Sequence, residues 1–376
     1  MDFYLQEANI MTIYLERRKK FTTYLQQNDY SYAMISNPAN VFYLSGFYTD
    51  PHERFLAIIF DVKNGKEYFF VPALDKEAAA RDSDLKTIIP ISDNELPLDV
   101  VQNTIGNLGG SFGIEGKQLS YLQYIEFKQQ FPSLEFNDVQ PFVNQLRVNK
   151  SQEEIVALKK ALDIIEKVLE EGIKSIKIGM TEIEIVANLE YLMRKFGADG
   201  PSFSTIVLTG KNAALPHGIP GETKIADGDL LLIDFGVVKD GYCSDITRTF
   251  AINSMSERQR ELYNIVLTAN EAGIAAVKAG VPLNTFDIAA RDVIEEAGYG
   301  EYYNNRVGHG LGIEIHEEPS VHGNNETIAT NGLVFTIEPG IYIPNELGIR
   351  IEDTVFINGE GKVEILSSFP KQLQII

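Results

Sequence analysis

Four carboxylates and one imidazole stand out in the second half of the chain: Asp234 in LLIDFG, Asp245 in YCSDITRTF, His309 in VGHGLG, Glu338 in FTIEPG and Glu352 in RIEDT. Acidic oxygens balance the charge of two divalent cations and suit Mn2+ or Co2+ better than thiolates do. A hydroxide held between two such cations is a nucleophile at neutral pH, because metals depress the pKa of bound water and polarise a neighbouring carbonyl. The donor set therefore predicts a two-metal hydrolase. Taken singly, each residue also has a plain structural reading: an Asp at a strand end caps a turn, a Glu-Pro ends a strand, and a His between glycines sits in a tight turn. Grouped on apolar strands, the acids are desolvated and mutually repelling, and cations make such a cluster tolerable.

Turn chemistry explains how residues so far apart converge. Asp240-Gly241 reads as a two-residue turn, so Lys239 faces Tyr242, and the same register sets Gly236 against Asp245. Asp234 then shares a face with Asp245, diagonally, at about 7 Å or less between Cβ atoms. A one-residue slip would throw a carboxylate to the opposite face. Glu338 and Glu352 are symmetric about Asn345 in the turn-rich Pro344-Asn345-Glu346-Leu347-Gly348, so they face each other across a second ladder. Arg350 falls on the face of Glu352 and is expected to orient a ligating carboxylate, while Ile349 and Ile351 point into packing.

The 376 residues predict two domains, and the net charge of -20 argues against nucleic acid or anionic membrane as partners. A lone Cys243 forms no intrachain disulfide, and no signal peptide or bilayer-spanning run is evident, which points to the cytoplasm. Met1 to Ile10 precedes a second methionine, Met11, and reads as an extension or alternative start of unknown role. Residues 1–149 alternate helix and strand signals: a charged helix near Leu15 to Gln27, strands near Tyr32 to Ile35 and Arg54 to Val62, and an Asn64-Gly65 turn into Glu67 to Val71. A small α/β domain is expected there, with the linker at Arg147 to Lys150. The second domain, 150–376, opens on Ser151 and Glu154, a capping box, followed by an apolar stripe at Ile155, Leu158, Leu162, Ile165 and Leu169. It carries a faint duplication. Gly179-Met180, a helix and Gly197 resemble Gly280-Val281, a helix and Gly298, and in both copies a strand follows that ends on a carboxylate, Asp234 or Glu338.

LPHG, LLIDFG with GYCSDITRTF, GHGLGIEIHEEP, FTIEPGIYIP and GIRIED resemble, in order and spacing, the peptidase family that includes prolidase, aminopeptidase P and methionine aminopeptidase. The resemblance covers the whole chain, and NPANVFYLSGFYTDPHERF is similar to bacterial prolidase-like members. It implies an N-terminal creatinase-like α/β domain followed by an α+β pita-bread catalytic domain with a pseudo-twofold repeat. It also implies that Asp234 binds one metal, Asp245 and Glu352 bridge both, and His309 and Glu338 complete the second, with Mn2+ favoured over Co2+ or Zn2+. Glu338 is the expected proton shuttle. By the same resemblance His217 and His316 contact the substrate carbonyl and the tetrahedral intermediate, and the chain is a homodimer acting on small peptides with proline in second position. His52 and Arg54, in the Tyr48 to Arg54 loop, are candidates for substrate binding, and a plain surface loop is the other reading. One departure stands out: many relatives carry a further histidine where this chain has Asn305, which donates a hydrogen bond but carries no charge.

The dipeptide reading, Xaa-Pro, stands against an aminopeptidase P reading on Xaa-Pro-Yaa and a remote one as a non-catalytic peptide-binding module. All five ligand positions being filled argues against the last. Gly109-Gly110-Ser111-Phe112-Gly113 fits the serine-hydrolase pattern, but its glycines precede a strand rather than follow one. Gly308, Gly310 and Gly312 are mis-spaced for a dinucleotide loop, His316-Glu317-Glu318 lacks a zincin's second histidine, and Cys243 reads as packing.

Overall fold

The computed structural model describes residues 2–376, with side chains from Ile13 onward, so the side chains of the Met1 to Ile10 extension lie outside the described residues. Two compact units result, Met1–Leu146 and Arg147–Ile376.

The first unit runs α1 (Asp2–Gln27), β1 (Tyr32–Ile35), α2 (Pro38–Ser45), β2 (Ala57–Asp61), β3 (Lys66–Pro72), α3 (Lys76–Asp82), β4 (Ile88–Ile91), α4 (Pro97–Ile105), β5 (Gly110–Ile114), α5 (Tyr121–Gln130), β6 (Leu134–Asp138) and α6 (Gln140–Val148), the last ending just beyond the unit's boundary. Its six strands form one mixed sheet in the order β4-β3-β2-β1-β5-β6. Asn37 caps α2 by accepting from the Ala39 and Asn40 amides, with Pro38 pre-set for the first turn. The sequence-predicted strand from Arg54 begins only at Ala57, because Arg54 N–H closes a turn on Pro51 O and its guanidinium is drawn to Asp93. Ser111 lies inside β5, not on a strand-to-helix elbow.

The second unit contains α7 (Gln152–Ile173), α8 (Glu182–Lys195), β7 (Gly200–Pro201), β8 (Ile206–Thr209), β9 (Leu230–Phe235), β10 (Val237–Lys239), β11 (Tyr242–Cys243) and β12 (Ile246–Ala251). It continues with α9 (Glu257–Ala276), α10 (Asn284–Glu296), β13 (Gly308–Gly310), β14 (Glu317–Val321), β15 (Val334–Ile337), β16 (Gly340–Ile343), β17 (Leu347–Arg350), β18 (Asp353–Ile357) and β19 (Val363–Ile365). Ser151 and Glu154 form the predicted capping box of α7, and its apolar stripe is buried.

The duplication is visible in the backbone. Gly179 N–H donates to Ile225 O and Ile225 N–H returns to Met180 O, while Gly280 N–H donates to Ala329 O and Ala329 N–H returns to Val281 O. Each half has its own core. One packs α7 and α8 on β8, β9 and β12 through Leu162, Leu189, Ile233 and Phe250. The other packs α9 and α10 on β15 and β18 through Val266, Phe286, Phe335 and Val355. The strands that end on carboxylates thus emerge from two apolar supports.

Candidate metal centre

Both hairpins adopt the register that turn chemistry predicts. Lys239 pairs with Tyr242 and Asp234 with Thr247, on either side of Gly236 and Asp245. Ile341 pairs with Ile349 and Ile337 with Asp353, on either side of Glu338 and Glu352. The ladders break at these acid-bearing positions, which the sequence count treats as continuous strand. Gly236 is needed at the first break, since a Cβ there would lie 1.9 Å from Ser244 O. Pro339, which has no N–H, sits at the second. The amides beside the breaks bond elsewhere: Glu352 N–H donates to Thr247 O at 3.2 Å and Glu338 N–H to Val307 O at 2.7 Å.

Asp245, His309 and Glu352 are all buried and each offers a ligand atom within 4.8 Å of the others. His309 Nε2 lies 3.2 Å from Glu338 Oε1 and 3.6 Å from Asp245 Oδ2. His309 Nδ1–H donates to Gly310 O at 3.2 Å, which leaves the Nε2 lone pair for a cation. Asp234 is gripped by Arg350, whose Nη2 donates to Oδ2, whose Nε donates to Thr247 Oγ1 at 3.1 Å and whose Nη1 donates to Tyr342 OH at 2.7 Å. Thr247 Oγ1–H in turn donates to Glu352 Oε2 at 2.7 Å, so one chain of hydrogen bonds orients acids from both halves.

The residues present fit divalent cations. Asp234 Oδ1 and Asp245 Oδ1 are buried without a hydrogen-bond partner among the described residues. Burial pushes the Asp245 and Glu352 carboxyls well above the usual carboxylate range, and neighbouring carboxylates push them further. Burial also raises Asp234, although Arg350 opposes it. Glu338 differs: burial works against its ionisation, but contact with His309 and the Arg350 charge hold it below the ordinary value. Three buried acids and the half-buried Glu338 against one fully engaged guanidinium leave an excess of negative charge that oxygen-seeking cations would neutralise.

Around these groups lies a cavity of about 380 Å³, walled also by Phe203, Ile206, Pro216, Ile315 and Tyr342. His217 and His316 both line it, and the His316 ring packs against His309 at 4.0 Å between centroids. His316 is partly exposed, and partial desolvation, helped by His309 and Arg306, lowers it to about 4, so its imidazole is neutral at pH 7 and can donate. Asn305 also lines the cavity. His52 and Arg54 belong to the first unit, where they line a separate groove of about 510 Å³. There Arg54 donates to both Asp93 oxygens at 2.9 and 3.1 Å, and His52 pairs with Asp50. His322 accepts from the Asn324 amide, and Cys243 is buried with its thiol donating to Ile313 O. Phe203 and Arg306 join the site from outside the quoted motifs, while Thr247 and Tyr342 lie within GYCSDITRTF and FTIEPGIYIP without having been singled out; Thr247, opposite Asp234 in the predicted register, had a usable sequence signal.

A cavity floored by these acids and supported by twin half-domains defines a class, and the chain belongs to metallopeptidase family M24, whose model matches residues 156–359. Residues 17–149 match the creatinase/prolidase N-terminal domain. Among solved structures, the chain is similar to the prolidase from Pyrococcus furiosus, with 38% identity, a TM-score of 0.84 and coverage of 92% of this chain and 99% of that one. It is similar also to the Xaa-Pro dipeptidase from Bacillus anthracis, with 34% identity, a TM-score of 0.88 and coverage of 96% and 100%. The X-Pro aminopeptidase from Thermotoga maritima matches with 33% identity, a TM-score of 0.84 and coverage of 93% and 98%. The pita-bread fold with a creatinase-like first domain is therefore the fold of this enzyme. Among the described residues, no helix is long and apolar enough to cross a membrane.

Proposed function

We propose that this peptidase hydrolyses the bond preceding proline in Xaa-Pro dipeptides, using two divalent ions, Mn2+ in preference to Co2+ or Zn2+. The convergence of Asp245, His309 and Glu352, with Glu338 on His309, is the observation that carries the reading. Asp234, Asp245, His309, Glu338 and Glu352 would hold the ions, with Asp245 and Glu352 as the acids available to both. When bound, the ions acidify the attacking water and polarise the scissile carbonyl.

The chain's own groups do the rest. Glu338 accepts the proton of the attacking water and delivers it to the proline nitrogen as the C–N bond breaks. His316, a neutral donor, and His217 hydrogen-bond the carbonyl oxygen as negative charge develops there. Arg350 keeps Asp234 in place through the paired contacts to Thr247 and Tyr342. Phe203, Ile315 and Tyr342 give the small cavity apolar walls suited to a proline ring. The family resemblance supports a homodimer, the lone Cys243 supports a cytoplasmic setting, and the charged composition of the Tyr48 to Arg54 loop supports a contribution of His52 and Arg54 to substrate binding. Likeness to the Thermotoga maritima X-Pro aminopeptidase favours a second reading, removal of the first residue from Xaa-Pro-Yaa.

Chelator-stripped protein assayed on Leu-Pro and on an Xaa-Pro-Pro tripeptide separates these readings. Activity is expected to vanish on stripping, to return with Mn2+ or Co2+, and to be greater on Leu-Pro. Full activity in protein shown by elemental analysis to be metal-free overturns the metal mechanism, and preference for the tripeptide moves the chain to the aminopeptidase reading.

A further inference from the structure

Two arginines line the cavity, and they differ in what they are already doing. Arg350 is buried and spent on Asp234, Thr247 and Tyr342. Arg306 is half-buried, and of its five N–H donors one is used, Nη1 to Ser320 Oγ at 3.0 Å; among the described residues it has no carboxylate partner. Ser320 is the residue directly opposite His309 across β13 and β14, so the guanidinium is anchored at the histidine end of the site.

The loop that carries Arg306 is built to hold still. Arg291 donates to Tyr303 O and to Asn305 O, both at 2.9 Å, while pairing with the buried Asp287. Asp287 Oδ1 accepts from Val307 N–H at 2.9 Å, and Val307 O accepts from the Glu338 amide. The backbone on both sides of Arg306 is thus pinned, and on one side pinned to the residue before Pro339. Next to it, Asn305 Oδ1 is buried with no partner among the described residues, although the residue lines the same cavity.

A dipeptide brings opposite charges to its two ends. Its carboxylate is repelled by Asp234, Asp245, Glu338 and Glu352 and needs a cation that no protein acid has already neutralised. We propose that Arg306 binds the α-carboxylate of the proline residue and thereby sets the enzyme to dipeptides. The inference rests on the Xaa-Pro reading above and goes beyond it by naming the residue that reads substrate length. In Xaa-Pro-Yaa the same position holds a peptide carbonyl, so the charge-assisted, fork-shaped contact is lost. Asn305, uncharged, does not replace it.

The test uses the metal-loaded full chain with Arg306→Met and Arg306→Lys. Calorimetric binding of L-proline and of L-prolinamide reads the carboxylate contact without turnover, and kinetics on Leu-Pro and Leu-Pro amide read it during turnover. Wild-type protein is expected to bind proline more tightly than prolinamide by about 10- to 100-fold, and Arg306→Met to erase that preference and raise KM for Leu-Pro by a similar factor. Leu-Pro amide should be nearly indifferent to the substitution, and Arg306→Lys should restore part of the preference, since it returns charge without the planar fork. Equal affinity of the wild type for proline and prolinamide, or an undiminished preference in Arg306→Met, overturns the assignment. Failure of the wild type to cleave Leu-Pro while it still binds proline through Arg306 counts against the dipeptidase reading alone.

Discussion

In the hairpin of the first half the ladder stops at Gly236, where any Cβ would collide with Ser244 O, whereas in the second it stops at Pro339, which has no hydrogen to give. The first break is steric and the second is a missing donor. Both leave an acid at the gap, but the acids then meet different partners. Asp234 of the first half is held by Arg350 of the second, and Glu338 of the second half is held by His309 of its own. An acid locked into a guanidinium is a ligand with a fixed aim. An acid against an imidazole, facing the cavity and held below its ordinary pKa, is in the proposed mechanism the group that takes and returns a proton.

Glu338→Gln is the sharpest way to break this distinction. It should lower kcat by about 10³-fold or more while leaving KM for Leu-Pro nearly unchanged, because it removes a ligand charge and the proton carrier together. Steady-state kinetics beside metal analysis of the same sample check it, and near-normal kcat in a metal-loaded variant would move the proton to another group. The histidines come next. His217→Ala and His316→Ala should each lower kcat by about 10²-fold if they meet the developing oxyanion, and an effect confined to KM would make them uniform binding groups.

Much of this centre could be read from the chain because short-range chemistry fixes it. Asp240-Gly241 and the turn about Asn345 set both registers, with Asp240, Gly241 and Asn345 all at positive φ, and register alone decides which acids share a face. Repeated glycine and helix signals likewise marked the two halves. What escaped is long-range. Thr247 meets Glu352 from 105 residues away, and Arg306 reaches Ser320 only because β13 and β14 pair, a contact no local pattern announces. The breaks at Gly236 and Pro339 were hidden for another reason, since counting along a strand preserves register whether or not the ladder is continuous.

The halves are also tied together by charge. Arg147 and Lys150, which precede α7, close on Glu317, with Lys150 Nζ at 2.7 Å, while Arg147 reaches Glu314 at 2.8 Å, so the loop carrying His316 is fastened at its base. Glu317→Gln leaves two buried cations short of a partner and should cost about 3 kcal/mol in chemical denaturation of the full chain. Burial alone would raise the Glu317 pKa, but Lys150 and Arg147 outweigh it and hold the carboxyl below its ordinary value. Its contribution is therefore whole above the ordinary carboxylate range and is lost as pH falls through the lowered folded-state value. The wild-type advantage over Glu317→Gln should accordingly shrink on acidification; a gap that stays constant to low pH would mean that packing, not charge, holds the loop.

The two breaks themselves give the finest comparison. A methyl added by Gly236→Ala must displace both Ser244 O, 1.9 Å away, and Ser202 Oγ, 2.3 Å away, and the shift of Ser244 moves the backbone that delivers Asp245. Overpacking of this kind costs about 1 to 3 kcal/mol, and here it should also weaken metal retention, because the ligand moves with the backbone. Pro339→Ala restores an N–H and a freer φ without adding bulk, so its cost should stay within about 1 kcal/mol and metal stoichiometry should be unchanged. Thermal unfolding with and without Mn2+ distinguishes the two: the Mn2+-dependent gain in Tm should fall in Gly236→Ala and persist in Pro339→Ala. If Pro339→Ala loses that gain as well, the second break depends on the missing donor as strictly as the first depends on the missing Cβ, and the hairpins are equivalent in how tightly they place their acids.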